Sequence, residues 1–182
     1  MQGNRAALAV VAAIVLVGGG WLYFNRTTDA TAVQLVPMFA SAQKQPPAGP
    51  FAVIDANLGG ESRQAVSTPP ASRITYKLRI PDDAWLRVAV GTKPESWTQP
   101  GNGVLFLVGV SDGRSFETLF TQHVNPYGNP GDRKWVQVWV DLSAYAGDEV
   151  ELVFNTRTSP SNQPDDPQND HPLWGDPEII VR

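Results

Sequence analysis

Residues 135–154 read WVQVWVDLSAYAGDEVELVF. In the first part Val136, Val138 and Val140 alternate with Trp135, Gln137 and Trp139; in the last, Val150, Leu152 and Phe154 alternate with Glu149, Glu151 and Asn155. Successive side chains of a strand point to opposite faces, so each run is a strand with one apolar face. Between them Asp141 and Ser143 can hydrogen-bond the turning backbone, Tyr145 covers the end of a core, and Gly147 supplies the tight reversal.

The same period extends outward. In residues 73–80, Ile74, Tyr76, Leu78 and Ile80 oppose Thr75, Lys77 and Arg79, and in residues 85–92 Leu86, Val88 and Val90 oppose Arg87. Residues 104–110 (VLFLVGV) are apolar on both faces, which, together with the valine face of residues 135–140, reads as central strands covered on both sides. Further strands are expected at 51–54, 115–124 and 178–182. Sixteen glycines and sixteen prolines favour short strands and turns over helices. The expected fold is all-β, an antiparallel β-sandwich or jelly roll over residues 51–182.

A strand ending in D-L-S-x-Y-x-G at Asp141–Gly147, followed by V-x-L-x-F at Val150–Phe154, resembles the galactose-binding-domain-like β-sandwiches. Asp132-Arg133-Lys134-Trp135 and Trp174-Gly175-Asp176-Pro177-Glu178-Ile179 share that likeness, which covers roughly residues 103–180. This is the jelly-roll group that holds many carbohydrate-binding modules. The resemblance implies the fold, a structural calcium ion in many members, and functions that range from sugar binding to adhesion and purely structural roles.

Residues 6–24 (AALAVVAAIVLVGGGWLYF) form an uncharged run of 19, close to the roughly 20 apolar residues that a membrane-spanning helix needs. Trp21 and Tyr23 suit the headgroup layer at its end. The reading is one N-terminal transmembrane helix in residues 1–24 with the C-terminal domain outside the cytoplasm. A cleaved signal peptide is the alternative, because Ala30-Thr31-Ala32 has the A-x-A form. Residues 25–50 read as an extended or flexible linker, interrupted by the apolar segment 33–39, which suits a bilayer surface or a partner.

Composition narrows the function. Net charge is −4 with both signs dispersed, which removes the basic stripe that nucleic acid requires. With no cysteine there is neither a disulfide nor a thiol nucleophile, and no H-E-x-x-H, G-x-S-x-G or phosphate-binding glycine loop occurs. His123 reads as a surface strand residue and His171 as part of a Pro-flanked loop. The expectation is a protein that is not an enzyme.

For a glycan, exposed aromatic faces with polar neighbours are required. Trp97, Tyr127 and Trp174 are the candidate stacking residues, with Asp132 and Arg133 as hydrogen-bonding partners; Trp97 and Trp174 read equally as plugs at the ends of the sandwich. The Trp135/Gln137/Trp139 face is the candidate interaction surface for a protein or sugar. Asp165, Asp166 and Asp170, with Asn169, offer hard oxygens that suit calcium without EF-hand spacing, so no cofactor is expected beyond a structural calcium ion. Two functions stand: a membrane-anchored, non-catalytic glycan-binding or interaction domain, and an accessory single-helix subunit of a larger membrane complex.

Overall fold

The computed structural model describes residues 30–158, 160 and 164–182. The proposed anchor at residues 6–24 lies outside them, and no helix among the described residues is long and apolar enough to cross a membrane. Eleven strands are described: β1 Ala30–Gln34, β2 Gln43–Gln45, β3 Ala52–Leu58, β4 Glu61–Ser67, β5 Ser72–Arg79, β6 Ala84–Thr92, β7 Val104–Ser111, β8 Phe116–Val124, β9 Val136–Asp141, β10 Glu149–Arg157 and β11 Pro172–Val181. One short helix, α1 (Leu35–Met38), follows β1.

The strands form two antiparallel sheets. One runs β3-β4-β11-β6-β9, with β1 also pairing with β11; the other runs β2-β5-β10-β7-β8. Their facing sides carry the residues that alternation predicts: Ile74 and Tyr76 on β5, Leu86, Val88 and Val90 on β6, Val138 and Val140 on β9, Leu152 and Phe154 on β10, all buried. Trp174 stands at the centre, fully buried, with ring centroids 5.0 Å from Phe106 and 4.8 Å from Phe154.

Three expectations change. Residues 30–45, read as linker, build into the sandwich as β1, α1 and β2. The apolar segment supplies the reason: Leu35 and Phe39 are buried in the core instead of facing a bilayer or partner. Next, β9 is an edge strand, paired to β6 alone, so its second apolar face is not the mark of a central position. Finally, β4 was not foreseen and β11 begins at Pro172 instead of residue 178. Neither alternates: Ala65, Val66 and Ser67 are consecutively buried, as are Pro172 to Gly175, because both faces of the sheet are covered there.

That cover is a second cluster on the outer face of the six-stranded sheet. Leu58, Ala65, Ala89, Trp135 and Leu173 are buried together, with Ile54, Ala56 and Trp97 against them. Two glycines allow the close approach. A Cβ on Gly91 would lie 2.5 Å from Leu58 Cδ1, and one on Gly175 would lie 2.9 Å from the Trp135 ring. Leu58, at the tip of the β3–β4 hairpin, therefore rests directly on the backbone of β6, and Trp135 on that of β11.

Candidate functional site

Beside this cluster the same outer face opens into a cleft of about 440 Å³. Its floor and rim come from β4 (Arg63, Gln64), β6 (Arg87), β9 (Gln137, Trp139) and β11 (Asp176 to Glu178). The shape originates in a β-bulge: the β11–β6 register shifts between Gly175 and Glu178. A bulge re-aims side chains, and Asp176 within it has φ 42°, a left-handed conformation uncommon outside glycine. Its carboxylate secures that conformation, Oδ1 accepting from the Gln64 N–H at 3.1 Å and Oδ2 from Arg63 Nη1 at 3.4 Å.

Arg63 is the hub of the cleft. Nη2 donates to Glu61 Oε1 at 2.6 Å and to Gln137 Oε1 at 3.1 Å, while the guanidinium lies 5.9 Å from the Trp135 ring centroid. Arg87 repeats the arrangement one position along: Nε donates to Glu178 Oε1 at 2.7 Å, and its guanidinium lies 5.6 Å from the Trp139 ring centroid. Trp139 remains 38% exposed, the largest aromatic so available among the described residues. The cleft thus offers one aromatic ring beside planar guanidinium, carboxamide and carboxylate groups held in fixed orientations.

The remaining candidates lie outside the cleft and are used differently. Arg133 Nε donates to the Pro126 carbonyl and Nη2 to the Trp97 carbonyl, joining two loops. Asp132 accepts from the Asn125 N–H and the Asn129 side chain. Trp97 is half-buried against the outer cluster and donates Nε1–H to the Thr92 carbonyl. Trp174 is fully buried, so the stacking role considered for it is excluded and the plug reading becomes a place in the inter-sheet core. Tyr127 alone is open, at 48% exposure. Of the Trp135/Gln137/Trp139 set, Gln137 and Trp139 line the cleft and Trp135 is buried beneath the hairpin, its Nε1–H donated to the Glu61 carbonyl.

Among the described residues no three His, Cys, Asp or Glu side chains are grouped as metal ligands. Asp165 accepts from Thr158 Oγ1 and Asp166 from the Gln168 N–H. Asp170 is buried, and burial, with a smaller push from the Asp166 charge, raises its pKa to about 7. Its Oδ2, Thr92 Oγ1 and Ser96 Oγ are buried without protein partners, and all three residues line one cavity of about 10 Å³.

That carboxyl has a signed consequence for stability. In the unfolded chain Asp170 ionises near pH 4, whereas in the fold it keeps its proton to about pH 7. Between those values the unfolded state binds fewer protons, so the native state loses stability as pH rises and then levels off. Asp170→Asn removes the titration. Its unfolding free energy relative to wild type, measured by chemical denaturation, should rise from near zero at pH 4 to a plateau above pH 7, at most on the order of 4 kcal/mol. A flat difference between pH 4 and 8 would refute the assignment.

Sequence reasoning missed Arg63, Arg87, Asp176 and Glu178. Alternation reads Arg87 only as an outward residue of its strand, Asp176 and Glu178 enter only within the stretch that carries the resemblance, and nothing in a local pattern announces that β4, β6 and β11 lie side by side.

No family model matches the chain. An uncharacterized protein of Archaeoglobus fulgidus is 38% identical over 104 residues, which is 57% of this chain and 25% of that protein, so the chain spans about a quarter of its relative's length. Among solved structures, one from Clostridium perfringens joining an M60 catalytic domain to two CBM51 domains matches with a TM-score of 0.53 and 20% identity, over 76% of this chain and 14% of that one. A CBM51 module from the same organism, in complex with methyl-galactose, matches with a TM-score of 0.47 and 18% identity, over 71% and 80% of the two chains. At 20% identity the first likeness is one of fold, and the fold is the jelly-roll β-sandwich that the resemblance implies.

Proposed function

We propose that this domain is a non-catalytic glycan-binding module, held outside the cytoplasm by its N-terminal apolar segment, and that its ligand occupies the cleft on the outer face of the six-stranded sheet. The observation that carries the reading is the half-exposed Trp139 ring beside Arg87, Gln137, Asp176 and Glu178 in one concavity. An aromatic face packs against the C–H face of a sugar ring, while fixed planar polar groups take pairs of neighbouring hydroxyls. The shared fold supports the reading without deciding it.

Charge narrows the class. Arg63 faces Glu61 and Asp176, and Arg87 faces Glu178. Both guanidinium charges are already matched, so a carboxylated or sulfated sugar meets no spare positive charge, and a neutral saccharide is the better fit.

The test is retention on an array of neutral oligosaccharides (galactosides, N-acetylglucosamine, xylo- and cello-oligosaccharides) beside uronate- and sialate-bearing ones. Trp139→Ala should lower retention of the neutral hits by about tenfold or more with a Tm near wild type, while Tyr127→Ala leaves retention unchanged. If Tyr127→Ala abolishes retention and Trp139→Ala does not, the ligand belongs to the loop end instead.

A further inference from the structure

Part of the cleft lining comes from the N-terminal end of the described chain. Gln34 and Val36, at the junction of β1 and α1, line it together with Trp139 and Arg87. Between them Leu35 points the other way and is fully buried in the inter-sheet core. The neighbours of an inward-facing anchor are turned outward, and here outward is into the cleft. Gln34 is exposed, so its carboxamide is available to a ligand.

The wall is fastened to the floor by one carboxylate. Glu178 Oε2 accepts from Thr31 Oγ1 at 2.6 Å, and Oε1 accepts from Arg87 Nε at 2.7 Å. β1 also pairs with β11, the strand that carries the bulge. Thr31, Glu178, Arg87 and Trp139 therefore form a chain of contacts from the N-terminal strand across the cleft floor.

We propose that residues 31–36 are an integral wall of the ligand site, with Gln34 a specificity-determining contact, so that occupancy of the cleft and docking of β1 on β11 are thermodynamically coupled. This rests on the cleft being the glycan site. A ligand bridging Gln34 and Trp139 holds β1 in place, and by reciprocity anything that loosens β1 weakens the ligand. The segment connecting the sandwich to the N-terminal apolar run is then part of the receptor, and tension on it would be felt as lower affinity.

The experiment uses the full chain on the same saccharide array, with hydrogen exchange of the β1 amides in the presence and absence of whichever neutral saccharide is retained. Gln34→Ala should weaken binding about three- to tenfold and shift the preference among neutral hits. Thr31→Ala, which leaves Gln34 in place, should speed β1 exchange and weaken binding by a comparable factor; saccharide should slow β1 exchange in the wild type. If Trp139→Ala abolishes binding while Gln34→Ala and Thr31→Ala bind like wild type and β1 exchange ignores the saccharide, the wall is passive and the inference fails with the cleft reading intact. If no saccharide is retained, or retention survives Trp139→Ala, the cleft reading fails and takes this inference with it.

Discussion

Trp174→Ala should cost about 3–5 kcal/mol, the largest single loss available in this domain. The indole is the largest fully buried side chain and touches both sheets: it belongs to β11 of the six-stranded sheet and packs edge-on to Phe106 of β7 and tilted against Phe154 of β10. Its removal leaves a void lined by aromatic rings that cannot collapse without shifting strands on both layers. Trp174→Phe keeps part of the volume and should recover a good part of the loss. Chemical denaturation of the purified domain checks both. A Trp174→Ala midpoint within experimental error of wild type would mean that the two sheets are not held together by this contact.

Arg63→Ala is expected to damage stability and binding together. Its guanidinium meets Glu61, Asp176 and Gln137 at once, and its side chain is 17% exposed, so solvent replaces these partners poorly. The loss should be about 1–3 kcal/mol, with much of it arising from Asp176, left in a left-handed backbone with one fewer partner. Because Asp176 and Gln137 both line the cleft, saccharide retention should fall by at least tenfold even at temperatures where the variant is fully folded. Arg63→Lys keeps the charge but loses the fork that reaches three oxygens, and should restore stability more than binding. A variant with wild-type retention would show that Arg63 is structural and the ligand is held elsewhere.

The two substitutions probe the two faces of one sheet, and these faces were unequally legible. Alternation announced the inner face. Ile74, Tyr76, Val88, Val138 and Leu152 were each placed correctly because a period of two depends only on a residue's own strand and its burial. It also identified Gln137 and Trp139 as facing away from the core. What lay on that outer side was another matter. The rule that one face is polar failed for Trp135, Ala89 and Leu173, because the β3–β4 hairpin covers them through close approach at Gly91 and Gly175. No pattern within a strand reports that a distant hairpin lies over it.

The hydrogen-bonding groups of the loop candidates were no more legible, for a related reason. Residue type marked Asp132 and Arg133 as able to hydrogen-bond a sugar; in the fold Asp132 accepts from the Asn125 N–H within its own loop, and Arg133 joins that loop to the Trp97 backbone carbonyl. A hydrogen-bonding group is spent on whichever partner the fold brings nearest.

Read alone, the chain determined its class: strands, their inward faces, the turn at Asp141–Gly147 and the absence of nucleophile or phosphate-loop motifs all follow from local chemistry. Only the tertiary structure decided that β9 is an edge, that residues 30–45 belong to the sandwich, and that Arg63, Arg87, Asp176 and Glu178 meet. Those residues come from three separate strands, and their meeting is set by strand pairing and a bulge, which are properties of partners and not of any one segment.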